Sequence, residues 1–103
     1  MSTVEIKKYK LNSSLTVDSL KFIVKQMLKE NINGLTIGEL CKKLYEVPVR
    51  LDEENERYYT VKKKQMMRAC SALVDINHIK LHKEPSYCGK VKIGHKKVYK
   101  SIN

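Results

Sequence analysis

Long apolar runs are missing from this chain. None approaches the roughly 18 residues that a membrane-spanning helix requires, and the opening MSTVEIKKYK has no apolar signal-peptide core. Both absences point to an intracellular, cytoplasmic protein with no membrane partner. Cysteine is sparse: Cys41, Cys70 and Cys88 are odd in number, widely spaced and without a CxxC pair. That excludes a disulfide framework and the usual zinc pairs. His78, His82 and His95 lie near Cys88 in sequence, but on a ribbon rather than a helix, and no metal is expected. No acidic or oxyanion motif accompanies a Cys–His pair, and there is no glycine-rich phosphate or dinucleotide loop. The acidic run Asp52 to Glu56 does not have EF-hand spacing. An enzyme, a cofactor and a small-molecule ligand are therefore not expected. The chain also lacks the aromatic stacking platforms seen in single-strand RNA readers.

Acidic residues are the other shortage. Lysine and arginine total 21 against 11 aspartates and glutamates, a net charge of +10 and a pI near 9.6. The excess is uneven. Residues 1–45 carry net +4, residues 46–60 net −3, and residues 61–103 net +9, from 11 basic and 2 acidic groups. A generally lysine-rich background would spread the charge, so this distribution indicates a basic surface suited to a polyanion. At 103 residues, 42% hydrophobic and 31% charged, the chain fits one domain with one core.

The pattern of elements is α+β. Val4 to Lys10 alternates imperfectly and reads as an N-terminal arm or short edge strand within residues 1–15. Thr16 is an N-cap with Asp18 in the first turn, and Val17, Leu20, Ile23, Val24, Met27 and Leu28 follow helical spacing to a stop at Asn31–Gly34. On another face of that helix, Lys21, Lys25 and Lys29 read as solvated. Thr36 and Glu39 have capping-box spacing ahead of Ile37, Leu40, Cys41 and Leu44, and Pro48 forbids continuation. Residues 46–60 then form an acidic insertion. A third helix starts either near Asp52 or near Thr60. The poor helix formers Tyr58, Tyr59, Thr60 and Val61 favour the later start, giving a helix over 61–76. Asn77 suits a left-handed cap. Ile79 to Glu84 reads as a strand, Pro85 to Gly89 as a turn, and Val91–Ile93 and Val98–Ile102 as strand, so residues 79–102 make a two-stranded basic ribbon with a long tip.

On a helical wheel, Met66, Met67, Cys70, Leu73 and Val74 fall on the inner side of the third helix. Lys64, Gln65, Arg68, Ser71, Ala72 and Asp75 fall outside. Arginine and glutamine can make bidentate contacts to guanine and adenine edges, lysines neutralise phosphates, and small residues allow close approach.

The order helix, helix, helix, strand, basic loop, strand over residues 16–102 resembles a winged helix-turn-helix domain. The stretch Arg68-Ala69-Cys70-Ser71-Ala72-Leu73-Val74-Asp75-Ile76-Asn77-His78-Ile79-Lys80 looks like the junction of recognition helix and wing in bacterial and archaeal regulators. Leu35-Thr36-Ile37-Gly38-Glu39-Leu40 looks like the start of their second helix. Size and basic character are also similar to small winged-helix proteins of archaeal viruses. Two features depart from that pattern: the long segment Glu46–Thr60 between helices, and asparagine rather than glycine at position 77. The resemblance implies three helices and a two-stranded wing. It also implies a transcription regulator that binds double-stranded DNA as a homodimer, nucleoid-associated or in a host cytoplasm. Lys64, Gln65, Arg68 and Ser71 would then contact the major groove, Lys62 and Lys63 would hold phosphates, and Lys90, Lys92, His95, Lys96 and Lys97 would form the wing. The alternative is a protein-interaction winged helix in a transcription or replication assembly, with the acidic insertion and Tyr58–Tyr59 as its contact surface.

Overall fold

Three capped helices and a long hairpin make up the computed structural model, which describes residues 8–102. Tyr9–Lys10 forms β1; residues 4–7 of the expected arm lie outside the described residues. Helix α1 (Val17–Glu30) begins where the Thr16 hydroxyl accepts the Ser19 backbone N–H, with Asp18 complementing the dipole of the first turn. It ends at Asn31, whose side-chain amide donates to the Met27 carbonyl at 2.8 Å. Gly34 follows at φ +86°, in the left-handed region. Helix α2 (Ile37–Leu44) has both halves of the expected capping box, Thr36 accepting from the Glu39 N–H and Glu39 accepting from the Thr36 N–H. The chain then extends as β2 (Tyr45–Glu46), which pairs in parallel with β1, Tyr9 opposite Tyr45.

Helix α3 (Glu53–Asp75) starts a full two turns earlier than the favoured expectation. Asp52 is its N-cap, accepting from the Asn55 N–H at 2.7 Å, and Glu53, Glu54 and Glu56 occupy the first turn, where the dipole favours negative charge. Thr60 does not cap. Its hydroxyl donates to the Glu56 carbonyl inside the helix. Tyr59 packs against the core. Capping, dipole and this burial together outweigh the weak propensities of residues 58–61. The segment between helices is thus Tyr45 to Asp52 rather than residues 46–60.

The three helices bury one core. Leu20, Val24, Met27 and Leu28 come from α1, Leu40, Cys41 and Leu44 from α2, and Met66, Ala69, Cys70 and Leu73 from α3. At the end of α3 the chain reverses through Asn77, at φ 59°, with the His78 N–H bonded to the Leu73 carbonyl at 2.9 Å. This is the left-handed cap the sequence indicates.

Strands β3 (Ile79–Cys88) and β4 (Val91–Ser101) pair antiparallel from Ile79–Ser101 to Cys88–Val91. The turn expected over Pro85–Gly89 is shorter and lies at the end of that stretch, since Pro85–Cys88 belong to β3. The turn is the two-residue Gly89–Lys90, with Gly89 at φ 62°, which matches the hairpin turn that needs glycine first. Pro85 is tolerated within β3 because, among the described residues, that strand pairs on one side only. Strand β4 has a second partner: the Leu35 N–H bonds to the Tyr99 carbonyl and the Tyr99 N–H to the Leu35 carbonyl, both at 2.9 Å. Ile79 and Tyr99 carry the hairpin base into the core.

Gly34 makes this docking possible. A Cβ there would lie 2.5 Å from Val98 Cγ1, 2.6 Å from Lys100 Cγ and 2.9 Å from the Tyr99 carbonyl. Gly89 is also left-handed but has nothing within 4 Å of such a Cβ. Gly89→Ala should therefore show only the left-handed penalty of about 1–2 kcal/mol. Gly34→Ala should add an overpacking cost of about 1–3 kcal/mol. Urea unfolding of the two variants checks this; equal losses would show that close approach of β4 does not matter.

Candidate nucleic-acid interface

Helix α3 is the scaffold of the candidate surface. Its buried positions are Lys62, Met66, Ala69, Cys70 and Leu73, a regular helical arc. The opposite arc of its C-terminal half presents Lys64, Met67, Arg68, Ser71 and Asp75, which with Ala72 line a shallow open depression. Lys64, Arg68 and Ser71 are thus exposed together as expected. Met67, expected inside, is 46% exposed.

Lys62 is the clearest departure. It is 6% exposed, its ammonium donates to the Ser13 carbonyl, and it lies 5.8 Å from the centre of the Tyr45 ring. One helical turn before Met66, it occupies an inward position where its aliphatic stem packs and its head reaches a backbone acceptor. It cannot hold a phosphate there. Lys63 is half-buried and lies 4.7 Å from the centre of the Tyr59 ring, which turns it away from the Lys64–Arg68 arc. Gln65 is also half-buried, and its Oε1 is enclosed without a protein partner among the described residues, so it is not presented as a base reader.

The hairpin supplies the rest of the positive charge. Lys90, Lys92, His95, Lys96 and Lys97 are all exposed. Cross-strand partners share a face of a ribbon. Lys83 stands opposite Lys97, and Lys80 opposite Lys100. Glu84, the only acid after Asp75, stands opposite Lys96 and reaches Lys100 at 3.4 Å. Among the described residues Lys64, Arg68, Lys83, Lys90, Lys92, Lys96 and Lys97 have no ion-pair partner. Lys83 was not singled out from the sequence, although the alternation Ile79-Lys80-Leu81-His82-Lys83 already placed it on the side of Ile79 and Leu81. On α1, Lys21 pairs with Asp18 at 3.5 Å, and Lys25 Nζ lies 3.1 Å from His78 Nδ1.

Other chemistry has less to stand on. Burial pushes the Cys41 thiol up to about 11 and the Cys70 thiol to about 12, so both are protonated near neutral pH. Cys88 is exposed near the hairpin turn. No group of three or more His, Cys, Asp or Glu side chains among the described residues is arranged to hold a metal ion. No helix among them is long and apolar enough to cross a membrane.

The two lysines of α3 should separate cleanly by mutation. Lys62→Ala removes a packed stem and strands the Ser13 carbonyl, and should lower unfolding free energy by about 1–3 kcal/mol. Lys64→Ala, on the outer arc, should change it by no more than about 0.5 kcal/mol. Urea unfolding midpoints measure both, and comparable effects would show that Lys62 is not structural. No family model, curated protein or solved structure matches this chain, so its function must be read from the surface just described.

Proposed function

We propose that this protein binds double-stranded DNA and discriminates among sequences, as a transcription regulator of winged-helix type. The observation that carries the reading is a set of exposed, unpaired cations on two consecutive elements: Lys64 and Arg68 on the outer arc of α3, and Lys83, Lys90, Lys92, Lys96 and Lys97 on the β3–β4 hairpin. Arg68 carries the planar fork that recognises guanine, Ser71 offers a hydroxyl, and Ala72 beside them permits close approach. Lys64 and the hairpin lysines serve the phosphates. Opposed like charges such as Lys83–Lys97 weaken a free hairpin. A polyanion lying on the ribbon relieves that repulsion, which supports a ligand of that kind. As a homodimer, two copies would read a near-palindromic site, and the mass of the complex with DNA tests that stoichiometry.

A second reading, docking of a partner protein, is favoured by one observation. Tyr58 and Val61 are exposed on α3, and the Tyr58 hydroxyl donates to Glu54 of the acidic first turn at 3.4 Å. Tyr59 cannot contribute, because it packs inward.

Selection of bound sequences from random duplex, followed by binding titrations against salt, decides between the readings. Binding should weaken steeply as salt rises. Arg68→Ala should lose about 1–3 kcal/mol on the selected sequence and relax its preference at one position. Lys96→Ala should weaken binding to every duplex alike and lower the salt slope by about 1. Equal affinity for selected and random duplex removes the claim of specificity. No binding at low salt removes the DNA reading in favour of the protein partner.

A further inference from the structure

The end of the hairpin carries the wrong residues for a simple phosphate clamp. Beyond Leu81 and Tyr99 the ribbon runs to the Cys88–Val91 pair, roughly 23 Å at the ordinary strand rise. Apart from Val98 at its base, no side chain in that stretch is buried. A free ribbon end in water should be polar throughout. Instead Tyr87, Val91 and Ile93 lie there, 58%, 66% and 65% exposed, interleaved with Lys90 and Lys92. By the strand register Tyr87 shares the face of Lys92 and Val91 that of Cys88, so exposed apolar side chains stand on both faces of the ribbon end.

The backbone is irregular at the same place. Ser86 pairs with Gly94 and Tyr87 with Lys92, so Ile93 is an extra residue without a ladder partner. Gly94 beside it has φ 147°, a conformation that favours glycine. A bulge of this kind bends a strand and re-aims the side chain it frees. Here the freed side chain is the branched, apolar Ile93.

Resting on the DNA-binding reading above, we propose that the hairpin tip is a minor-groove wedge. Ile93, with Tyr87 and Val91 on the two faces of the ribbon beside it, presses between two base pairs and kinks the duplex, while Lys90, Lys92, Lys96 and Lys97 hold the flanking phosphates. Charge complementarity selects the occupant, since Glu84 is the only acid on the ribbon. An anionic lipid surface offers similar phosphate chemistry but fits less well. A membrane anchor needs cations only around an apolar tip. Here they extend along both faces, Lys83, Lys92 and Lys97 on one and Lys80, Lys96 and Lys100 on the other. Apolar wedges that unstack a base step bend duplexes toward the major groove by roughly 20–90°.

The test uses the full chain and a duplex of about 30 base pairs, long enough to register a bend of that size, labelled with donor and acceptor at its ends. Wild-type protein should raise energy transfer on binding. Ile93→Ser, and Val91→Ser with Ile93→Ser, should still bind but lose most of that rise, and Ile93→Leu should keep it. These positions lie outside the core, so unfolding midpoints should match the wild type and confirm intact folds. Binding without bending, or bending unchanged in Ile93→Ser, overturns the wedge and leaves the DNA reading standing. No binding to duplex at low salt overturns both. Adsorption to phosphatidylserine vesicles that is lost in Ile93→Ser, with bending unaffected, assigns the tip to a membrane and also overturns the wedge.

Discussion

The reciprocal hydrogen bonds between Leu35 and Tyr99 are the constraint on which the rest of the structure depends. They tie the hairpin to the segment between α1 and α2, and they exist because Gly34 offers no Cβ to the approaching β4 strand. At the other end of the hairpin base, the Asn77 turn and the bond from the His78 N–H to the Leu73 carbonyl join β3 to α3. A ribbon held at both strands has a defined direction relative to the helix before it. Everything distal to Tyr99 is a projection whose aim these two attachments set. Residues 82–98 of the free arm make no core of their own, so their geometry is borrowed from the base. (A lone hairpin is marginal in water at best.)

Charge is handled differently in the two halves of the molecule. Within the fold some of the positive charge is given a partner, although Lys29, Lys42, Lys43 and Arg50 have no ion-pair partner among the described residues. Lys62 reaches a carbonyl and a tyrosine ring, Lys63 a tyrosine ring, Lys21 an aspartate and Arg57 the carboxylate of Glu53 at 3.0 Å. On the outer arc of α3 and along the ribbon it is not. Lysine faces lysine across the strands, and one glutamate serves the whole arm. A local arrangement that opposes its own stability is where a functional demand is expected to override the folding one.

Much of the fold was legible because local chemistry and tertiary context agree. Thr16, the Thr36–Glu39 box and Asn77 each sit where the sequence placed them, since a cap or a left-handed residue is decided within a few neighbours. Legibility failed where distant contacts decide. Tyr59, one of four poor helix formers in a row, is a packed helical residue. Lys62 broke the apolar periodicity of α3, which drew the inner arc toward Met67 instead. The true arc runs Lys62, Met66, Ala69, Cys70, Leu73, and only the tether to Ser13, 49 residues away in the chain, allows a lysine to lead it. For the candidate site this rotated the face: Lys64, Arg68 and Ser71 stayed outside, while Lys62, Lys63 and Gln65 turned inward. Pro85 to Gly89 suggested a turn beginning at the proline, but the unpaired edge of β3 absorbs Pro85, the ribbon runs through it, and only Gly89 lies in the turn.

The early start of α3 also changes how such a helix can meet a polyanion. Recognition helices commonly present their N-terminal residues to the bases, where the dipole and free N–H groups favour phosphate. In this chain that end is occupied by Asp52, Glu53, Glu54 and Glu56, which cap the helix and repel phosphates. The helix of 23 residues, about 35 Å long, is thereby divided: an acidic half that stabilises its own start, and a basic half that can approach DNA. In the proposed complex the acidic half has to stand clear of the backbone, so contact shifts toward the C-terminal turns and the Asn77 junction. That leaves α3 with only a short reading surface, Lys64 to Ser71. A long cationic ribbon beginning four residues after α3 ends supplies the contact length the helix gives up. The acidic start of α3 and the length of the hairpin are then two sides of one arrangement.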